Sequence, residues 1–306
     1  MSQALPFVSV IVPTYDRPRQ LARCLRSLSS LDYPSDRFEV IVVDDGSESP
    51  PEDIVADAPG QLDTTLLSPP HAGPASARNY GAAHARGEYL AFTDDDCVPT
   101  PSWLRAIAVR FAATPGDAIG GRTLNGLPKN LYATASQALT DYLYTYNSAA
   151  NAQAPFFTSN NLAVPGGRFR EIGGFDTSFP LSAGEDRELC DRWRQHGYGI
   201  TYAPEAVVYH THDLTLRSFC RQHFNYGRAA RSFQKARARR GQRAVRLEPA
   251  RFYLNLLLHP YSQGEWVRSL PLAALLALSQ MAYAAGFLWA RGAGDRLVTR
   301  SRSPTS

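Results

Sequence analysis

VSVIVPTYDRP, running from Val8 to Pro18, is the stretch on which the fold turns. Its first five residues form an unbroken apolar run, the mark of a strand buried on both faces. A polar loop follows, and then Leu21, Cys24, Leu25 and Leu28 recur at helical spacing. The same alternation continues outward. EVIVVDD (Glu39 to Asp45) reads as a second buried strand ending in acids and a Gly-Ser turn, and LDTTLL (Leu62 to Leu67) as a third. ASARNYGAAHARG (Ala75 to Gly87) reads as a helix closed by glycine, and EYLAFTDDD (Glu88 to Asp96) as a fourth strand. This β-α-β-α rhythm predicts a mostly parallel, Rossmann-like sheet flanked by helices. Ligands of such sheets bind beyond the carboxyl ends of the strands.

Further along, the pattern predicts a helix over Trp103 to Ala113, a strand over Ala118 to Gly121 and a helix near Ala133 to Ala149. FFTSNNLAVP suggests another short strand, and Gly166 to Gly184, with five glycines, reads as a loop. A helix from Glu185 to Gly197, two short strands (Ile200 to Tyr202, Val207 to Tyr209) and a long basic helix complete this part.

The strand ends carry the chemistry. The first strand runs into PTYDRP (Pro13 to Pro18), the second into DDGS (Asp44 to Ser47) and the fourth into TDDDC (Thr93 to Cys97). One acidic triplet is ordinarily a solvated turn. Two acidic strand ends in one sheet repel each other unless a cation neutralises them. A divalent metal with oxygen ligands, Mg2+ or Mn2+, is the natural candidate, and it would favour a diphosphate. No Gly-x-Gly-x-x-Gly and no P-loop lysine follows the first strand, which disfavours dinucleotide and Walker-type binding. No Ser or Cys stands in a nucleophile elbow. Glu185 and Asp186 open a helix after the glycine-rich loop. They suit either a helix N-terminus or a general base. His210 and His212 close a strand, with His210 the stronger ligand candidate by position.

Composition bounds the rest. The 306 residues are 44% hydrophobic and 20% charged, ordinary for a folded domain. The four cysteines are widely spaced, without zinc spacing, and read as reduced thiols. No secretory signal opens the chain, so the expectation is a cytoplasmic protein. Arg217 to Arg246 holds ten Lys or Arg and no acid, which leaves 22 basic against 28 acidic residues elsewhere. Such a block suits a phosphorylated substrate or an anionic lipid surface; nucleic acid ranks last, with no RNA-binding motif or finger spacing. Leu270 to Ala290 is uncharged and about long enough to cross a bilayer. Pro271, Ser279, Gln280, Tyr283 and Gly286 interrupt it, so a buried helix, an interfacial anchor and a span all remain open. We expect association with the inner face of the plasma membrane.

Taken together, VSVIVPTYDRP, EVIVVDDGS, GPASARNYGAAHARGEYLAFTDDDCVP, NNLAVPGGRFREIGGFD, GEDRELCDRWRQHGY and PEAVVYHTH resemble the family 2 glycosyltransferases of GT-A fold. The resemblance covers about Val8 to Arg228. It implies a nucleotide-sugar pocket lined by Pro13, Thr14, Tyr15, Asp16, Asp44, Asp45, Arg78, Asp94 and Asp95, with Asp45 reading the base and Asp95 near the ribose. Asp94 and Asp96 match the Asp-x-Asp motif, so Asp96, Asp94 and His210 are the implied metal ligands. Asp186 matches the catalytic base, supported by Glu185. The implied reaction is an inverting, metal-dependent transfer from a UDP-, dTDP- or GDP-sugar to a glycan, lipid or polyprenyl-linked hydroxyl. QHFNYGR (Gln222 to Arg228) lacks the Gln-x-x-Arg-Trp motif of processive members, which implies a non-processive enzyme. A nucleotidyltransferase of similar sheet and a non-catalytic nucleotide-sugar binder are the alternatives. The expected organisation is a catalytic domain over 1–245, with a nucleotide-binding half (1–122) and an acceptor half (123–245), and a helical extension over 246–306.

Overall fold

The computed structural model describes residues 5–60, 62–151, 156–179, 183–242, 248–262 and 266–300. Strands β1 (Val8–Thr14), β2 (Phe38–Asp44) and β3 (Thr64–Leu67) lie parallel, with β4 (Tyr89–Phe92) parallel to β1 on its other side. β6 (Ala118–Asn125), β7 (Leu162–Pro165) and β8 (Ile200–His210) continue the sheet, and β5 (Cys97–Pro99) closes its far edge. The order is β3-β2-β1-β4-β7-β6-β8-β5, and only β7 and β5 run against their neighbours.

Every residue of β1 and β2 is buried, as the apolar runs require. Helix α1 (Pro18–Leu28) turns Leu21, Cys24, Leu25 and Leu28 inward, and all four are buried. α2 (Glu52–Ala56) is a short helix beside β3, and α3 (Pro74–His84) packs on β1 and β2. A Cβ at Gly81 would meet Ile11 at 2.8 Å and Val43 at 3.0 Å, so glycine sets how closely α3 approaches the sheet. α4 (Trp103–Ala113) buries Trp103 and Phe111, and Phe111 stacks on Tyr89 with centroids 3.8 Å apart.

Four expectations need correction. The strand expected over Glu88–Asp96 ends at Phe92, because the amide of Cys97 donates to the carbonyl of Asp94 (3.0 Å) and folds Asp94–Cys97 into a turn. The chain then re-enters the sheet at its opposite edge as β5. The two strands expected over 200–209 are one, β8, whose pairing with β6 jumps from Gly121↔Ala203 to Arg122↔Val207 and leaves Pro204–Ala206 as a bulge. Gly166–Gly184 is not loop throughout, since α6 (Gly166–Glu171) opens it; residues 180–182 lie outside those described. The helix placed near Ala133–Ala149 is longer, α5 (Leu131–Asn151). The cysteines are free, with Cys24, Cys97 and Cys190 buried.

The chain divides into two compact units. One, residues 1–126 and 147–212, holds the whole sheet together with α7 (Glu185–Gln195). The other, residues 127–146 and 213–306, is helical: most of α5, α8 (Leu216–Arg239), α9 (Ala250–Ser262) and α10 (Trp266–Arg300). Tyr142, Phe252, Leu256 and Leu276 form one of its cores, and Ala135, Leu214 and Phe219 another. α8 and α10 cross at two glycines. A Cβ on Gly227 would come within 1.9 Å of the Tyr283 carbonyl, and one on Gly286 within 1.9 Å of the Phe224 carbonyl.

Candidate active site

Strand register builds the site. β5 pairs with β8 so that Cys97 faces His210, which sets His210 beside the last acid of the triplet. His210 Nε2 lies 3.2 Å from Asp96 Oδ1. Thr211 fixes this end of β8, its amide and hydroxyl donating to the Asp96 carbonyl at 2.8 and 2.7 Å. Arg17, just after β1, donates to Asp96 (3.1 Å) and Asp95 (3.2 Å). Thr14 at the end of β1 donates its hydroxyl to Asp95 (2.8 Å). Burial raises the Asp95 carboxyl to about 6 despite Arg17. Burial also opposes ionisation of Asp96, but His210 and Arg17 outweigh it and hold that carboxyl far below its ordinary value. His210 is correspondingly raised by Asp96 against the pull of burial.

Asp94 turns to a different partner. Arg78, on α3 and only 5% exposed, donates to Asp94 at 2.6 Å and to Glu185 at 3.2 Å. Arg78 therefore ties the triplet to the acid pair that opens α7. Gly184, with φ +88°, turns the chain into α7 and makes Glu185 and Asp186 its first two residues. Asp186 Oδ1 accepts the Arg187 amide at 2.7 Å. Burial, with the neighbouring Asp186, raises the Glu185 carboxyl to about 7, and Arg78 only partly offsets this. Burial raises Asp186 as well. The Oε2 atom of Glu185 is buried and has no hydrogen-bond partner among the described residues.

The loops after β1 and β2 are laced together. Asp44 accepts from the amide and hydroxyl of Ser47, whose Oγ accepts the Asp16 amide at 2.9 Å. Asp16 sits at φ +52°, and its carboxylate accepts the Glu48 amide at 2.8 Å. Asp45 accepts from the Ala72 and Gly73 amides, both at 2.9 Å, and lies 3.0 Å from His71 Nδ1. Tyr15, 46% exposed, packs against His71 with centroids 5.0 Å apart. These contacts bring Thr14, Tyr15, Asp16, Asp44 and Asp45 together at the carboxyl ends of β1 and β2, with Pro13 buried within β1.

A model of glycosyl transferase family 2 matches residues 9–172, more than half of the chain and the ends of β1, β2 and β4, while Glu185, Asp186 and His210 lie beyond the matched residues. The chain belongs to glycosyl transferase family 2. It is 29% identical over 212 residues to glycosyltransferase AglE of Haloferax volcanii, covering 69% of this chain and 68% of that protein. It is 30% identical over 230 residues to pre-mycofactocin glycosyltransferase of Mycobacterium tuberculosis, covering 73% of this chain but only 46% of that one. Among solved structures, mannosyltransferase PcManGT from Pyrobaculum calidifontis, in complex with GDP-Man and Mn2+, superposes with TM-score 0.61 at 23% identity, over 96% of this chain and 81% of that one. Staphylococcus aureus TarS 1–349 in complex with UDP-GlcNAc gives 0.57 at 19%, over 92% and 89%. The fold is GT-A and the protein is a glycosyltransferase.

In this family 2 enzyme the donor set suits a hard divalent cation. Asp96 is ionised and offers carboxylate oxygens beside an imidazole. The Cys97 sulfur lies near both, and burial raises its thiol well above the ordinary value. Arg17 and His210 both contact the Asp96 carboxylate. Asp94 is engaged by Arg78, apart from the Asp96–His210 pair.

Two partners of the strand-end acids escaped the sequence reading. Arg17 sits inside PTYDRP, where a lone arginine after an Asp carries no spacing signal; only the fold brings it to Asp95 and Asp96. His71 precedes α3 in a segment without motif, yet it contacts Asp45 and Tyr15. Within the glycine-rich segment, residues 172–175 are latched. Asn79 exchanges two 2.8 Å hydrogen bonds with the backbone of Phe175, and Arg192 ties Glu188 to the carbonyls of Ile172 and Gly174.

Proposed function

We propose that this enzyme moves a single sugar from a nucleoside-diphosphate sugar to an acceptor hydroxyl by one inverting displacement, with a divalent cation bound. The observation that carries the reading is Arg78, which couples the Asp94–Asp96 turn to Glu185-Asp186 and so sets a cation-binding cluster beside a buried acid pair.

Asp96 and His210, with Asp94 once released from Arg78, would hold Mg2+ or Mn2+. When bound, the cation neutralises the charge that develops on the departing diphosphate. Asp186 takes the acceptor proton as the acceptor oxygen bonds to the anomeric carbon. The bond from that carbon to the phosphate oxygen breaks, and its electron pair leaves with the nucleoside diphosphate. The raised Asp186 carboxyl is a stronger proton acceptor than an exposed aspartate, which suits general-base work near neutrality. Glu185, held by Arg78, has an unpartnered buried oxygen with which to hold the acceptor hydroxyl in line. Tyr15 and His71 offer an aromatic edge for a nucleobase, and Thr14 and Arg17 fix Asp95 for the ribose.

Calorimetry of UDP-, GDP- and dTDP-sugars with Mn2+ and with chelator, followed by transfer assays on the donor that binds, tests this reading. A donor that binds equally well without metal, or is bound but never consumed in the presence of soluble glycan and polyprenyl-phosphate acceptors, contradicts it.

A further inference from the structure

Helix α10 is apolar on its exposed side as well as on its buried one. Its buried side holds Ser269, Leu276, Ser279 and Gly286. The serine hydroxyls bond the carbonyls of Pro260 and Leu276 at 3.1 and 2.7 Å. Its exposed side is Leu270, Ala274, Met281, Ala285 and Leu288, recurring at helical spacing as one apolar stripe. Leu270 is 69% exposed, Met281 62% and Leu288 62%. A helix on the surface of a soluble domain buries its apolar face and exposes its polar one; a continuous exposed apolar stripe marks a surface meant to be covered.

Charge names the cover. On α8, Arg217, Arg221, Arg228, Arg231, Lys235 and Arg239 also recur at helical spacing, a basic stripe with no acid anywhere in the helix. The two stripes meet at Arg228, whose guanidinium lies 4.7 Å from the ring centre of Trp289, itself 54% exposed at the end of the apolar stripe. Apolar residues, a boundary tryptophan and adjacent cations are the composition of a helix lying in an anionic membrane surface.

The packing also decides between lying and spanning. Ser269–Gly292 is long and apolar enough to cross a bilayer. Yet the Gly227–Gly286 crossing clamps α8 onto α10 at backbone contact. α8 carries cations on both sides of that crossing, from Arg217 to Arg239, so an upright α10 with α8 packed along it would draw one set of them toward the hydrocarbon, where charged side chains are costly. We infer that the helical unit docks on an anionic phospholipid surface with α10 in the plane of the membrane, its Leu270–Leu288 stripe among the acyl chains and the α8 cations at the headgroups.

Flotation of the full chain with vesicles tests this without any sugar donor. The vesicles are phosphatidylcholine alone or phosphatidylcholine mixed with phosphatidylglycerol. Binding to the anionic vesicles is expected to be about tenfold stronger or more, and to weaken with salt. Met281→Glu with Leu288→Glu changes only exposed residues and is expected to abolish binding at unchanged melting temperature. Lys235→Glu with Arg239→Glu is expected to remove the preference for anionic lipid. Release of the protein from cell membranes by alkaline carbonate agrees with an in-plane helix, and extraction by detergent alone would establish a span and overturn the inference. So would equal binding by both double variants, or absence of vesicle binding together with a solution dimer that Met281→Glu/Leu288→Glu dissociates.

Discussion

Arg78 lies 3.2 Å from Glu185 across 107 residues of sequence, and both side chains are only 5% exposed. That ion pair makes the acidic turn after β4 and the start of α7 one electrostatic unit, because the same guanidinium holds Asp94. Removing the guanidinium leaves the buried Glu185 and the half-buried Asp94 uncompensated. Arg78→Met is expected to destabilise the fold by about 3–5 kcal/mol. Arg78→Lys is expected to recover stability in part but not turnover, since one ammonium cannot span both carboxylates as a guanidinium fork does. Denaturant unfolding and transfer rates on both variants check this.

Glu185 gives the fold a pH dependence of known sign. Its carboxyl is raised from 4.5 to about 7 by burial and by Asp186. The unfolded chain therefore gives up this proton before the folded one does. The resulting stabilisation is full below about pH 4.5 and is lost as pH rises through about 7. Glu185→Gln removes the titration. The melting temperature of the variant, relative to that of the parent, is expected to rise between pH 5 and pH 8. A difference that stays flat across this window would show that Glu185 is not raised.

Asp45, at the end of β2, is tied into the backbone. Its carboxylate accepts the amides that lead into α3, and Gly73 there sits at φ +89°, a conformation open to glycine. Asp45→Ala is expected to cost about 2–3 kcal/mol through lost charge-assisted hydrogen bonds, together with weaker nucleotide affinity. A residue that only read the base would lose affinity with no change in melting temperature.

Much of this was legible in the chain itself. The buried strands announced themselves as apolar runs because each is covered on both faces, and the strand-end acids stood out because they sit where those runs stop. What pattern could not show was long-range. Nothing local says that Cys97–Pro99 crosses to the far edge of the sheet, yet that crossing pairs Cys97 with His210 and so completes the Asp96–His210 contact. Likewise the strand signal faded at Pro204 although β8 continues past it, because a bulge absorbs the proline. Arg17 and His71 were missed for a related reason: their partners lie on other elements, and a single basic residue in a loop has no period to read.

Metal dependence is expected to follow the Asp96–His210 pair. Asp96→Asn is expected to abolish the manganese-dependent part of donor binding, and His210→Gln to weaken it by about tenfold, the scale of a lost supporting ligand. Titration calorimetry of the donor at saturating manganese and with chelator separates the two. Unchanged metal dependence in both variants would remove these residues from the cation site.

The most direct measurement is turnover and donor affinity of Asp186→Asn, taken together with its melting temperature. The substitution keeps size and the Arg187 amide contact but removes the carboxylate that accepts the acceptor's proton. The expected result is a loss of about 10²–10⁴ in turnover, with donor affinity and manganese dependence retained, the pattern of a residue acting in chemistry alone. An Asp186→Asn enzyme that melts slightly earlier but transfers sugar at nearly the parental rate would reduce Asp186 to a helix-start residue and contradict the mechanism.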